Sequence, residues 1–142
     1  MVAKNTQFAT LLRQHKLSVT TARKAVFEAL CKHEQLSMRA LCEACPEIDR
    51  ASVYRTISLF ESLHIAQRVY TGWKYRIELG EAFREHHHHA LCTACGGYTH
   101  LPEDEQLEQQ IISLAEQHGF KTSRHSLELQ GICKACYEKS DH

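Results

Sequence analysis

The run Glu85-His86-His87-His88-His89-Ala90-Leu91-Cys92-Thr93-Ala94-Cys95-Gly96 decides how the second half of this chain is read. Histidines followed by aliphatic residues predict a strand over His86–Cys92. Successive side chains of a strand point to opposite faces. His86 and His88 therefore share one face, and His87 and His89 the other. The strand leads into Cys92-x-x-Cys95, a spacing that aims two thiolates of one tight turn at a single ion. A second pair, Cys133-x-x-Cys136, stands near the C-terminus. Four thiolates complete a closed tetrahedral Zn²⁺ site, which leaves no position for a substrate and so acts structurally.

Working outward, the pattern after this strand is mixed. An amphipathic helix is expected over about 103–118, with Leu107, Ile111, Ile112, Leu114 and Ala115 inward and Gly119 just past its end. Residues 121–129 alternate enough to predict a strand. Before the histidine run, Ala66–Tyr70 and Lys74–Leu79 are rich in β-formers and are separated by Thr71-Gly72-Trp73, a hairpin signal. The first 65 residues read as four helices. Thr20, Ser37 and Asp49 stand as N-caps before apolar stripes at helical spacing. Cys42 and Cys45 lie in the third stripe and are read as core-facing thiols. Helices closing on a hairpin make a winged helix-turn-helix. In its last helix Arg50, Ser52, Tyr54 and Arg55 face outward, supplying donors and a flat ring suited to phosphates and base edges.

Composition bounds the function. The 142 residues are 43% hydrophobic and 24% charged, as in a globular protein. No apolar run approaches the roughly 18 residues of a membrane span. Met1–Lys16 contains no secretory h-region, so a cytoplasmic location is expected. Net charge is zero, yet residues 1–76 carry +6 and the remainder −6. A basic half suits a polyanion, and an acidic, histidine-rich half suits cations. The two histidine faces can feed two further metal sites, for which Glu78, His100, Glu108, His125 and His33 are the available partners. Imidazole suits zinc, iron, nickel and copper alike.

Several segments in this order resemble the ferric uptake regulator superfamily over nearly the whole chain. Leu17-Ser-Val-Thr-Thr-Ala-Arg23 is similar to the family's Leu-x-x-Thr-x-x-Arg. Ala51-Ser-Val-Tyr-Arg55 is similar to its Thr-Val-Tyr-Arg recognition helix. His87-His-His-Ala-Leu-Cys92-x-x-Cys95-Gly and Gly131-Ile-Cys133-x-x-Cys136 are similar to its two zinc knuckles. The resemblance implies an α+β protein: an N-terminal winged helix-turn-helix domain, residues 1–79, a hinge at 80–85, and a small α/β dimerisation domain, 86–142, with a structural zinc site of four cysteines. It implies a homodimeric, metal-dependent repressor of metal-homeostasis genes, bound to an AT-rich palindromic operator, with zinc or iron as co-repressor and zinc slightly favoured by the all-histidine run. It assigns Glu78, His87, His89 and His100 to a regulatory site. A histidine of the DNA-binding domain belongs there too, and because the aligned residue is Gln35, His33 is taken in its place. His86, His88, Glu108 and His125 fall on a third site. Lys16 and Arg23 join the DNA-contacting residues. The chain departs from the family in having two extra residues between Glu78 and the histidine run.

Two other classes compete. A zinc hydrolase needs an open coordination position and a general base; Glu85 and Glu78 are carboxylates of the right kind, but no His-Glu-x-x-His motif is present. A metal-buffering protein or metallochaperone leaves the basic half and the Tyr54-Arg55 helix unexplained.

Overall fold

The computed structural model describes residues 2–71 and 73–140, with Thr71 and Ser140 described in their backbone alone. Gly72, expected in the hairpin turn, lies outside the described residues. Two compact units divide the chain between Arg84 and Glu85.

The first unit is built on four helices, α1 (Val2–Gln14), α2 (Thr21–Lys32), α3 (Met38–Ala44) and α4 (Arg50–Ser62). Each of the last three begins at an expected cap. The side chains of Thr20, Ser37 and Asp49 accept from the backbone N–H groups of Arg23, Ala40 and Ser52, satisfying donors that have no partner inside the helix. Helix ends are equally regular. Lys16 and His64 sit at φ +57° and +56° just past α1 and α4. The following N–H in each case reaches back to a carbonyl of the last turn, Leu17 to Leu12 at 2.9 Å and Ile65 to Phe60 at 2.8 Å. These are left-handed caps filled by residues that carry a β-carbon.

Strands β1 (Ala66–Thr71) and β2 (Lys74–Leu79) form an antiparallel hairpin in which Ala66 faces Leu79 and Thr71 faces Lys74. Leu36 adds a short bridge to Ile77. Apolar faces of all these elements meet in one core. Phe8 stacks on Phe27 at 4.1 Å between ring centroids, and Phe60 and Phe83 meet that pair edge-on. Burying each such side chain stabilises by about 1.5–3 kcal/mol. Cys45 is buried in this core and Cys42 packs against it; burial pushes the Cys45 thiol up from its ordinary value.

Residues 80–84, read from the sequence as part of a hinge, are fastened to this unit. Gly80 N–H donates to the Ile65 carbonyl at 2.8 Å, Gln7 Nε2 donates to the Ala82 carbonyl at 2.7 Å, and Phe83 is buried. A β-carbon at Gly80 would collide with the His64 carbonyl oxygen, so the close approach itself requires glycine.

The second unit is a three-stranded sheet, ordered β4 (Tyr98–Pro102), β3 (His87–Cys92), β5 (Glu128–Gly131), with helices α5 (Glu105–Gln117) and α6 (Lys134–Ser140). Central β3 is antiparallel to β4 and parallel to β5. The expected strand over 121–129 shrinks to Glu128–Gly131, because its ladder on β3 extends only from His89 to Cys92. Strand β4, unforeseen, follows Gly96-Gly97 as a short run closed by Pro102. The turn carrying the last cysteine pair continues into α6, also unforeseen. Gly119 takes φ +72° past α5 as its place in the sequence implied.

Candidate metal centres and nucleic-acid face

Three groups of ligand-bearing side chains form in the second unit, one at the knuckles and two on opposite faces of β3. In the first, the Sγ atoms of Cys92, Cys95, Cys133 and Cys136 all lie within 4.8 Å of one another. Cys95 and Cys133 are 3.9 Å apart. Sulfurs bound at about 2.3 Å to one tetrahedral ion sit about 3.8 Å apart, so the spacing fits zinc. The backbone supports charge here: Gly97 N–H donates to Cys95 Sγ and Cys133 N–H to Cys92 Sγ, both at 3.3 Å. Donation from the Cys133 backbone, helped by Cys95 and Ala94, lowers Cys92 to about 6. Cys136, donating to Cys133, Cys95 and Cys92, is pushed up to about 12. Thiols packed this closely cannot all ionise without a cation between them.

On one face of β3, His86, His88 and His125 converge on Glu108, which α5 carries on its first turn. His88 Nε2 is 2.6 Å from Glu108 Oε1, His125 Nε2 is 2.9 Å from Oε2, and His86 Nε2 is 3.2 Å from His125 Nε2. His88 is almost fully buried, and its Nδ1 meets no hydrogen-bond partner among the described residues. Two ring nitrogens at 3.2 Å match neighbouring ligands about 2.0–2.1 Å from a shared ion. The donor set, imidazoles with one carboxylate, fits a divalent transition metal.

The opposite face gathers His87, His89 and His100, whose ring nitrogens also lie within 4.8 Å of one another. Strand register explains the third member: His89 pairs directly with His100 across β4. Residues paired this way point to the same face. His87 Nδ1 lies 2.9 Å from the Glu85 carbonyl, which can only accept. The proton is therefore on Nδ1, and Nε2 carries the lone pair that a metal would take. The Tyr98 ring leans on His89 at a tilt of 42°, centroids 4.8 Å apart, a neighbour hidden from the sequence because β4 was not foreseen.

Glu78, assigned to the regulatory site from the sequence, is a buried β2 residue of the first unit. Gln35 Nε2 donates to it at 3.1 Å and Gln67 Nε2 at 2.7 Å, with Arg84 Nη1 3.5 Å away. The residue of this segment that reaches Glu78 is Gln35. His33 caps the end of α2 in the open, while Gln35, two residues on, reaches the carboxylate. Gln67 was legible in principle, since it lies opposite Glu78 in the hairpin register. Nothing local in the sequence announced Arg84.

The nucleic-acid candidates lie on the first unit. Val53, Thr56, Ile57 and Phe60 bury one face of α4, leaving Arg50, Tyr54 and Arg55 exposed and Ser52 half-buried. Arg55 donates to Ser52 Oγ at 2.9 Å, and Asp49 is held below the usual carboxylate range by the Ser52 hydrogen bonds. Lys16 projects from the left-handed turn after α1. Arg23 is half-buried and donates to the Ser18 carbonyl at 2.6 Å, so it braces the loop that carries Lys16. No helix among the described residues is long and apolar enough to cross a membrane.

Comparison with known proteins gives a consistent result. The profile of the Ferric uptake regulator family matches residues 14–130. The Ferric uptake regulation protein of Neisseria gonorrhoeae is 35% identical over 141 residues, covering 90% of this chain and 92% of its own. Among solved structures, the Vibrio cholerae ferric uptake regulator is 28% identical with a TM-score of 0.68, covering 88% of this chain and 98% of its own. A ferric uptake regulator from Francisella tularensis, solved with iron, is 25% identical with a TM-score of 0.67, covering 85% and 95%.

Proposed function

Since the chain belongs to the ferric uptake regulator family of metal-responsive transcriptional regulators, we propose that it is a homodimeric repressor of metal-homeostasis genes that binds an AT-rich palindromic operator when a regulatory ion is bound. The observation that carries this reading is the pair of ligand groups on opposite faces of β3, alongside a separate four-cysteine group. A purely structural zinc protein needs only the cysteines.

The division of labour follows from the donors. Cys92, Cys95, Cys133 and Cys136 form a closed set that holds the knuckles together. His87, His89 and His100 offer three imidazoles to the regulatory ion, and the family resemblance assigns Glu78 of the first unit to the same ion. A bound ion supplies a positive centre that its ligands share at fixed distances. Sharing it restricts the orientations that the two DNA-binding units of a dimer sample, favouring the spacing of two half-sites. Arg50, Ser52, Tyr54 and Arg55 then meet the major groove, with Lys16 alongside. His86, His88, Glu108 and His125 form the third site. A coupling of about 1–3 kcal/mol between ion and DNA makes binding metal-dependent over a useful range.

Two ions have support. The names of the relatives favour Fe²⁺. The imidazole donors of β3 and β4 favour Zn²⁺, which binds more tightly than Fe²⁺ to a given nitrogen site. Membership in a family of transcription regulators leaves the hydrolase reading without support.

The test is a DNA titration. A duplex enriched from a random-sequence pool by the metal-supplemented protein is bound with chelator, with Zn²⁺, and with Fe²⁺ under anaerobic conditions. The expected result is at least tenfold tighter binding with one of the two ions. Affinity indifferent to both would overturn the proposal.

A further inference from the structure

Glu78 is fully buried, and a carboxylate is costly to remove from water unless it is paired and hydrogen-bonded. The first unit meets that need with groups that donate. Gln35 Nε2 and Gln67 Nε2 reach its two oxygens at 3.1 and 2.7 Å, and the Arg84 guanidinium adds a full positive charge at 3.5 Å. They come from three separate places: the link between α2 and α3, strand β1, and the segment after β2. Where the family resemblance implies a histidine, whose ring nitrogen can ligate an ion, this chain has the Gln35 amide turned toward the carboxylate. The unit therefore holds Glu78 as an anion satisfied from within.

Arg84 is placed for this by its neighbours. Phe83 is buried edge-on to the Phe27 ring, and Gln7 ties down the Ala82 carbonyl. Leu36 and Ile77 exchange backbone hydrogen bonds at 2.9 and 2.7 Å, which lays the α2–α3 link alongside β2. Arg84 Nη1 then donates to the Glu34 carbonyl at 2.7 Å while its charge lies near Glu78. Its contact with Glu78 is longer than either glutamine's, and its side chain keeps 20% of its surface in water. This is a partner that can let go: the Glu34 carbonyl and solvent are both available to it.

We propose that Arg84 is the counter-ion of Glu78 in the metal-free protein, and that it yields the carboxylate when the regulatory ion binds. Arg84 thereby raises the ion concentration at which the site fills. This rests on the assignment of Glu78 to the regulatory ion above. A guanidinium and a divalent cation offer the carboxylate the same thing, positive charge, and they repel one another at such distances. Occupation by one opposes occupation by the other.

The test is a Co²⁺ titration of the full chain with zinc already on its cysteines, followed by the d–d absorption of the bound ion. The binding step that weakens in Glu78→Gln is the regulatory one. If no step weakens, the assignment of Glu78 fails, and the proposal with it, before Arg84 is changed. Arg84→Gln should lower the midpoint of that step about tenfold. It should also lower the melting temperature before Co²⁺ is added, with recovery once Co²⁺ is bound, because only the metal-free state loses its pair. Arg84→Met, which keeps the length of the side chain without the charge, should do the same, and Arg84→Lys should stay close to the parent. In the Glu78→Gln background, Arg84→Gln should leave the midpoint where it was, since the two residues act as a pair. An arginine with a merely structural role gives the opposite sign, because its loss weakens Co²⁺ binding. That result would overturn the proposal, as would an unmoved midpoint in both charge-removing variants or a tightening that persists without Glu78.

Discussion

The two units of this chain are held together by different physics. The first has a continuous core in which four helices and a hairpin bury aromatic and aliphatic side chains from Phe8 to Phe83. Among the described residues of the second, Leu91, Cys92 and His88 are the ones that reach full burial. Its helix α5 is amphipathic yet buries nothing fully within the chain, and Ile112, Leu114, Leu129, Ile132 and Tyr137 stand exposed. A unit of this size cannot fold on so small a core without staples or a partner. It has both available: ligand clusters that tie β3 to α5 and to the last knuckle, and an apolar surface suited to the second subunit of a dimer. The first unit rests on hydrophobic burial, whereas the second offers ligand groups and an exposed apolar face through which metal and a second copy of the chain would stabilise it.

The sharpest way to break this comparison is Cys133→Ser. Apparent zinc affinity of a structural site runs to roughly 10–16 kcal/mol, comparable with or above the 5–15 kcal/mol total stability of a domain. The second unit should lose its ion and its sheet, while amide signals of the first keep their dispersion in NMR spectra. The reverse experiment is Phe27→Ala. Removing a ring that stacks on Phe8 and meets Phe83 edge-on should cost about 3–5 kcal/mol, read by thermal melting, with zinc content unchanged. If each variant melted both units together, the division would be wrong.

A finer test sits on β3. Glu108→Gln removes the carboxylate that His86, His88 and His125 share. It should destabilise the second unit by about 1–3 kcal/mol and lower the bound-metal count by one, leaving the cysteine site filled. The smallest effect is a gain. His64→Gly relieves a left-handed conformation and should stabilise the first unit by about 1 kcal/mol, without moving the second. A loss of stability would mean that the His64 side chain matters more than its backbone.

How much of this could be read beforehand varies with the range of the contact. The caps at Thr20, Ser37 and Asp49 were legible because a cap and its donors lie three residues apart. The hairpin was legible for the same reason, as was the split of the histidines, which needs only the two-residue period of a strand. Strand β4 was missed because five residues ending in proline offer too little pattern. The strand over 121–129 was overextended because alternation alone does not say how long the neighbouring ladder is. For the metal groups, residue type and spacing marked the four cysteines.

What the sequence determined by itself is local: which residues start and end each helix, which histidines share a face, and which cysteines are spaced for one ion. The tertiary structure decided which distant groups complete each cluster. Strand pairing set His100 beside His89, and the packing of α5 and of the segment bearing His125 brought Glu108 and His125 to His86 and His88. The turn after α2 put Gln35, rather than His33, on Glu78. These choices depend on contacts between residues far apart in the chain, where a shift of one residue turns a side chain to the other face. No local pattern encodes that register.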